Sequence, residues 1–205
     1  MIEPIDSLEI AVIVDNVTDN LSSNPKYVET EVAGAWQRGM KWLGGKCLCC
    51  AAHGLSCLIT ARIGDTSHSL LFDAGPDEWV FERNIIRLGL DLSKVDAMVL
   101  SHGHWDHAAA MPRALQMITL ANGGKPVPTY LHPEMFASRA VKNPQGRMMP
   151  MEDIPSQQVL AGNGPCNRDR MAARRKAHDD GAWVREAAAA YAEKQKYRPA
   201  AQAAE

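Results

Sequence analysis

The segment SHGHWDH, residues 101–107, contains three histidines and one aspartate, namely His102, His104, Asp106 and His107. Imidazole nitrogens and carboxylate oxygens ligate divalent metals and also act as general bases. Three of the chain's seven histidines fall in this window, and four facing donor groups without a cation would repel one another or stay unpaired. We therefore interpret the segment as a metal-binding motif rather than as a solvated polar loop.

The spacing within the motif predicts two half-sites. In extended backbone His102 and His104 project to the same side, where both can reach one ion at about 2.0–2.1 Å. Asp106 and His107 follow as the backbone turns toward a helix, so they face a different point that suits a second ion. This donor set suits zinc, iron or manganese, and ligand type alone does not choose among them.

The elements around the motif alternate between strands and helices. Apolar patterns predict strands over residues 8–16, 55–63, 69–75, 95–100 and 126–133, and helices over 27–43, 79–90, 108–124 and 134–141. The segment GDTSH between two of the strands suits a hairpin turn. The chain is therefore predicted to form an α/β domain, with the motif at the carboxyl end of the strand 95–100.

The composition changes near Cys166. Beyond it Val184 is the sole β-branched residue, and neither Leu nor Phe occurs, so no buried strand is predicted. Good helix formers with a weak apolar face extend from Val184 to Lys196. We expect one domain over residues 1–165 and a helical or disordered tail over 166–205.

Charge and composition limit the partners and the compartment. The 205 residues carry a formal net charge of -2, so nucleic acid is not an expected partner and a small-molecule substrate is favoured. The start MIEPIDSLEI is acidic, and no apolar stretch approaches the roughly 18 residues of a membrane span. Five cysteines are an odd number without a secretory signal. We therefore expect reduced thiols, a cytoplasmic location and no membrane contact.

Two elements resemble a known family. The segment HGHWDH matches the HxHxDH signature of the metallo-β-lactamase superfamily, and LLFDAG, which contains Asp73, resembles its Asp-x-Gly element. With VDN, HGLS, LGLDLSKVDAMVLSHGHWDH and YLHPEMF, the chain is similar over about residues 8–160 to a subgroup related to the dihydropterin ribofuranosylaminobenzene phosphate synthases. The resemblance implies an αββα sandwich with one or two divalent ions at the strand ends. Zinc is the expected ion, with iron or manganese as alternatives.

The resemblance also implies an activity. A metal-bound hydroxide would attack a small-molecule ester, lactone or phosphoester. Asp106 would be the catalytic residue, because it would ligate the second ion and orient the nucleophile. Asp73 would accept hydrogen bonds that hold the histidine loop in its ligating shape. The alternative for Asp73 is a turn-capping role, since Asp before Gly is common in turns.

The sequence departs from the family in its second half. The complete sandwich supplies further strands with another metal-binding histidine, commonly a bridging aspartate, and a last histidine, and none of these is found here. We therefore predict an incomplete sandwich that corresponds to the amino-terminal half. A second hypothesis follows, in which the protein is a truncated, non-catalytic remnant that binds metal weakly. An uncovered sheet face would also favour self-association into a homo-oligomer.

Other donor residues stay without a firm role. Cys47, Cys49 and Cys50 could clamp a soft metal, but the favoured interpretation is buried free thiols, because no paired second half-site follows. His53 resembles a subgroup position near the mouth of the active site and has no assigned role. For His132 a structural role is favoured over metal ligation, since no spacing ties it to the motif.

Overall fold

The computed structural model describes residues 4–19 and 22–161. Its strands are β1 (Ser7–Val14), β2 (Ser56–Ile63), β3 (Thr66–Phe72), β4 (Val95–Val99), β5 (Thr129–Tyr130), β6 (Ala140–Lys142) and β7 (Met148–Pro150). Its helices are α1 (Glu31–Gln37), α2 (Glu78–Leu88), α3 (Trp105–Ala108), α4 (Met111–Ala121) and α5 (Gln157–Ala161), with a 3₁₀ turn at Pro133–Phe136. The predicted α/β class is confirmed.

Five strands form one sheet in the order β1-β2-β3-β4-β5. The pairs β1/β2 and β2/β3 are antiparallel, whereas β3/β4 and β4/β5 are parallel. Strands β1, β3, β4 and β5 therefore run in the same direction, and their carboxyl ends meet at one edge of the sheet. The segment that leads into β2 reaches the same edge, because β2 runs the opposite way.

One face of this sheet is covered by helices α2 and α4. Their amphipathic faces pack on the apolar side chains of the central strands. The main buried residues are Val80, Phe81 and Ile85 of α2, Met111, Ala114, Leu115 and Ile118 of α4, and Leu58, Leu71 and Met98 of the sheet. This core packs beside the sheet edge at which the carboxyl ends of β1, β3, β4 and β5 meet, and so it supports those strand ends.

The opposite face of the sheet is apolar but exposed along β1. Leu8, Ile10 and Val12 alternate along the strand and have exposed fractions of 54%, 54% and 49%. Successive side chains of a strand point to opposite faces, so these three share the face that α2 and α4 do not cover. An exposed apolar row of this kind is typical of a surface that another layer can cover.

Residues at the ends of α2 and in the hairpin turn define where these elements begin and end. Asp77 accepts hydrogen bonds from the backbone N–H groups of Trp79 and Val80 and so caps the start of α2. Gly89 ends this helix in the left-handed conformation, with φ 63°. Strands β2 and β3 pair as a hairpin around Gly64 and Asp65.

The predicted helix over residues 27–43 is wrong in its extent and in its buried face. Helix α1 begins after Thr30, whose side chain accepts a hydrogen bond from a backbone N–H of the first turn. Beyond α1 the chain turns at Gly39. Its φ is 91°, a value that residues other than glycine rarely adopt. The apolar residues that recur every three or four positions in 27–43 include Trp36, which predicts that it is buried, but Trp36 is exposed and the small Ala35 is buried instead.

The region after α4 also differs from the prediction. The predicted strand over 126–133 is only two residues long, because Pro126 and Pro128 lack the N–H that a sheet ladder needs. The predicted helix over 134–141 is a 3₁₀ turn followed by β6, which pairs with β7. The Arg139 guanidinium donates hydrogen bonds to three backbone carbonyls of this turn region, which keeps the turn from continuing as a helix.

Two further predictions concern the carboxyl-terminal tail and membrane-spanning helices. The proposed boundary at residue 165 and the helical or disordered tail over 166–205 lie outside the described residues. Within residues 4–19 and 22–161, no helix is long and apolar enough to cross a membrane.

Candidate metal centre

The motif lies where the chain passes from β4 into α3. Residues 101–103 form a bend at the end of the strand, and His104 has extended backbone, with φ -100° and ψ 149°, as the N-cap of α3. Asp106 and His107 lie within the short helix. The backbone thus bends at His102, is extended at His104 and is helical at Asp106 and His107.

Gly103 allows the motif to approach the 3₁₀ turn closely. A Cβ atom at this position would lie 2.5 Å from the carbonyl oxygen of Met135 and 2.8 Å from its Cα. Backbone atoms cannot move aside as the end of a side chain can. The close contact therefore requires glycine, and it fixes the bend between His102 and His104.

Asp73 lies beneath the motif and is fully buried. Its Oδ1 accepts a hydrogen bond of 2.8 Å from the backbone N–H of Ser101, and its Oδ2 accepts one of 2.7 Å from the Ser101 hydroxyl. The same Oδ2 lies 2.8 Å from Nδ1 of His107. Asp73 has φ 57°, a left-handed conformation that Asp tolerates better than most residues. One buried carboxylate thus joins both ends of the motif.

These hydrogen bonds determine which nitrogen of two histidines carries the proton. The Nδ1 of His107 must donate to the Asp73 carboxylate, so Nε2 of His107 has the lone pair. The Ser101 hydroxyl gives its hydrogen to Asp73 and can accept one from Nδ1 of His102, 3.0 Å away. The Nε2 of His102 is therefore also left with a lone pair, which is the form that binds a metal.

The four motif residues form two donor pairs. The Nε2 of His102 lies 3.0 Å from Nδ1 of His104, and Nε2 of His107 lies 3.5 Å from Oδ2 of Asp106. Two ligands on one tetrahedral ion, with bonds near 2.05 Å, are about 3.3 Å apart. The His102 ring also lies 4.2 Å from the His107 ring, centroid to centroid. The chemistry and spacing of this donor set therefore fit divalent ions.

The pairs do not form a closed cage. Among the described residues, no group of three or more His, Cys, Asp or Glu side chains is placed so that it could hold a metal ion. Each pair would supply two donors to an ion and leave the remaining positions to water, substrate or a further side chain. The arrangement is thus an open site, of the kind that leaves coordination positions for chemistry.

The environment of His102 favours its neutral, ligating form. Burial lowers the pKa of His102 below its ordinary value, and the neighbouring His107 and His104 lower it further. Asp73 and Asp106 oppose this shift but do not reverse it. Since a metal competes with a proton for the imidazole lone pair, a lowered pKa leaves His102 ready to ligate near neutral pH.

His53 is a residue outside the motif that reaches it. Its Nε2 lies 3.5 Å from Oδ2 of Asp106. The family resemblance placed His53 near the mouth of the active site without a role, and the adjacent Gly54 packs against the backbone of Asp106. His132 instead caps the 3₁₀ turn, where its Nδ1 accepts a hydrogen bond of 3.3 Å from the backbone N–H of Glu134. This contact agrees with the structural role favoured for His132.

The cysteine-rich loop lies close to α1 and α2. Cys47, Cys49 and Cys50 are half-buried free thiols, and Cys57 on β2 is a buried one. Burial raises the pKa of Cys49 to about 12, with a further contribution from the Glu31 carboxylate. Cys49 is therefore a protonated thiol at neutral pH.

The loop is attached to the core by α2. The Asn84 side chain donates hydrogen bonds to the carbonyls of Ile13 and Cys50 and accepts one from the Cys50 N–H. The Arg83 guanidinium donates to the carbonyl of Leu48. The loop that carries the cysteines thus supports the segment that leads to His53.

Comparisons with known proteins agree with this site. Residues 56–118, which contain Asp73 and the whole motif, match the sequence model described as the Metallo-beta-lactamase superfamily. This segment of the chain is therefore similar to the metallo-β-lactamase superfamily. Members of this superfamily are generally metal-dependent hydrolases and bind divalent metals.

Two curated proteins are similar to parts of the chain. One is the 7,8-dihydropterin-6-methyl-4-(beta-D-ribofuranosyl)-aminobenzene-5'-phosphate synthase of Methanocaldococcus jannaschii, 27% identical over 93 residues, which are 45% of this chain and 30% of that protein. The other is one of the subunits of the 1,2-phenylacetyl-CoA epoxidase of Escherichia coli, 52% identical over 44 residues, which are 22% of this chain and 14% of that protein. The chain thus spans less than a third of either relative.

Solved structures show a more distant likeness. Tm1679, a metal-dependent hydrolase of the beta-lactamase superfamily, is 18% identical, with a TM-score of 0.42, and the match covers 78% of this chain and 41% of that one. MEM-A1, a subclass B3 metallo-beta-lactamase from a soil metagenome library, is 18% identical, with a TM-score of 0.29, over 50% of this chain and 38% of that one.

Proposed function

We propose that this protein is a metal-dependent hydrolase that acts on a small-molecule ester, lactone or phosphoester. The observation that supports this most strongly is the hydrogen-bond network of Asp73. That carboxylate orients His107 directly and His102 through Ser101, and so leaves a lone pair on Nε2 of both rings. A buried charge that serves only to shape a loop would not require two histidines in the ligating tautomer.

Each donor in the proposed site has its own task. His102 and His104 would hold one divalent ion, and Asp106 and His107 would hold a second. Zinc is the expected metal, with iron or manganese as alternatives. A bound cation supplies the chemistry by lowering the pKa of coordinated water toward neutrality and by polarising the scissile bond. Asp106, as the one carboxylate among the four donors, would orient the attacking water, while Asp73 keeps the motif in shape.

The choice of a small molecule rests on charge. The chain has a formal net charge of -2 and so lacks the basic excess that attracts nucleic acid. The cytoplasmic location predicted from the sequence belongs to the same proposal.

A hydrolysis assay tests this function. Metal-free protein loaded with zinc, manganese or iron would be assayed against p-nitrophenyl esters, aliphatic lactones and bis(p-nitrophenyl) phosphate. We expect turnover of at least one class, and its loss in both Asp106→Ala and His104→Ala. His68→Ala, which removes an exposed histidine of β3, should retain full activity. Equal rates in all four proteins, or no turnover with any metal, would contradict the proposal.

A second candidate function rests on the exposed apolar row of β1. Leu8, Ile10 and Val12 favour a non-catalytic protein that self-associates through this sheet face and binds metal weakly. Analytical ultracentrifugation of the metal-loaded protein separates the two functions. A stable dimer that Ile10→Lys dissociates, together with no turnover in the assay above, would favour the second candidate.

A further inference from the structure

We propose that His53 is a metal donor from outside the motif and completes the half-site of Asp106 and His107. The inference rests on the proposed function, because it concerns the same ions. It adds a third protein ligand, supplied by the segment that leads into β2, to a pair that is otherwise open.

The distances allow His53 and Asp106 to share an ion. The Nε2 of His53 and the Nε2 of His107 each lie 3.5 Å from the same atom, Oδ2 of Asp106. Both separations are close to the roughly 3.3 Å expected for two ligands on one tetrahedral ion. Asp106 is thus the shared member of two compatible donor pairs.

The backbone next to His53 is held against the motif. Gly54 has φ 143°, and a Cβ there would collide with the carbonyl oxygen of Asp106 and lie 3.0 Å from Cδ of Pro76. On the other side the N–H of Ala52 donates a hydrogen bond of 2.9 Å to the carbonyl oxygen of Asp15. The backbone on both sides of His53 is therefore held in place, and at Gly54 it lies against the backbone of Asp106.

The imidazole itself has room to turn. The side chain of His53 is 72% exposed, whereas that of Asp106 is 14% exposed. The ring centroid of His53 lies 6.0 Å from that of Trp105, and the two ring planes are tilted by 40°, so the rings are not stacked. Since these three side chains are not placed to hold an ion together, the inference requires His53 to rotate toward the ion, and its exposure leaves space for that rotation.

An ordinary surface pair in the same protein provides the comparison. His68 and Asp96 lie 3.2 Å apart on adjacent strands, with side chains 67% and 56% exposed. Both members of that pair face solvent, so it has little energetic consequence. In the His53–Asp106 pair the carboxylate is largely shielded and belongs to the motif. His68→Ala is therefore a matched control for His53→Ala.

Metal titration tests the inference without relying on activity. Metal-free protein would be titrated with Co²⁺ in the presence of a competing chelator, and visible absorption would report the number and affinity of bound ions. We expect two ions in the wild type and in His68→Ala. In His53→Ala the second ion should bind at least about tenfold more weakly, since loss of even an outer contact of a metal site costs about that much.

A double variant tests whether His53 acts through the same half-site as Asp106. In an Asp106→Ala background, His53→Ala should have no further effect, because the half-site is already lost. Identical isotherms for His53→Ala and His68→Ala would overturn the inference and leave the proposed hydrolase intact. Absence of any bound Co²⁺ in the wild type would overturn the hydrolase proposal, and the inference with it.

Discussion

The Nδ1 atom of His107 lies 2.8 Å from Oδ2 of Asp73, a carboxylate with no exposed surface. This contact joins the end of β3 to the end of the motif, and the Ser101 hydroxyl connects the same oxygen to His102. The two rings are therefore oriented by one charge, although they lie on opposite sides of a bend. A substitution of Asp73 or Ser101 should therefore affect both the stability of the fold and the metal-binding nitrogens.

Replacing Asp73 by Asn should weaken both the fold and the metal site. The amide keeps the shape of the side chain, but it has one acceptor oxygen where the carboxylate has two, so either the Ser101 N–H or the His107 Nδ1–H loses its acceptor. We expect the free energy of unfolding to fall by about 1–3 kcal/mol and metal affinity to fall by about 10–100-fold. Urea denaturation and equilibrium dialysis measure the two effects. Asp65→Asn, in the exposed hairpin turn, is the control, and matching curves for the two variants would contradict the prediction.

Removing the Ser101 hydroxyl should change one histidine and spare another. In Ser101→Ala the Nδ1 of His102 loses its acceptor, so His102 should populate both neutral tautomers, while His107 keeps its bond to Asp73. Long-range proton–nitrogen correlation spectra of the metal-free protein distinguish the tautomers directly. Ser101→Thr should restore the wild-type spectrum. A His102 signal that is unchanged in Ser101→Ala would show that the relay through Ser101 does not operate.

A methyl group at Gly103 should be poorly tolerated. The added Cβ would lie 2.5 Å from the carbonyl oxygen of Met135, and the backbone would have to shift. Overpacking of this kind costs about 1–3 kcal/mol of stability. Gly45→Ala is a matched control, because nothing lies within 4 Å of a Cβ at that glycine. Thermal denaturation compares the two, and equal melting temperatures would refute the close approach of the 3₁₀ turn.

Cys49 should resist alkylation. Its pKa, raised to about 12 by burial and by Glu31, leaves about one thiolate in ten thousand at pH 8. Iodoacetamide labelling followed by peptide mass spectrometry should therefore modify Cys49 much more slowly than a free cysteine peptide. Glu31→Gln removes a charge that raises the pKa, so the labelling rate should rise, by about tenfold for each unit by which the pKa falls. Labelling of wild-type Cys49 at the rate of the peptide would contradict this.

Local signals explain what could be predicted from the sequence. The turn at Gly64 was predicted from a few adjacent residues and is confirmed, and the Asp77 cap and the Gly89 stop of α2 are likewise local features. The turn of the chain into a helix at Asp106 and His107 was also predicted, whereas the bend at His102 was not. The helix over residues 27–43 was predicted wrongly, because apolar periodicity alone does not indicate that the chain turns at Gly39.

Contacts between distant segments explain what could not be predicted. The approach of His53 to Asp106 depends on the path of the loop before β2, which is held by Asn84 on α2 and by the backbone at the end of β1. No periodicity in the sequence encodes that path. The hydrogen bonds of Asp73 to the histidine loop were expected from the family resemblance alone, because they require β3 and β4 to be neighbours in the sheet, which is a property of the topology rather than of either segment.

The central claim is that the motif binds a cation, and equilibrium dialysis of metal-free protein against zinc tests it most directly. We predict between one and two bound equivalents in the wild type. The variant with both His102→Ala and His104→Ala should lose at least one of them. A wild type that binds no zinc, or a variant that binds as much as the wild type, would contradict the account.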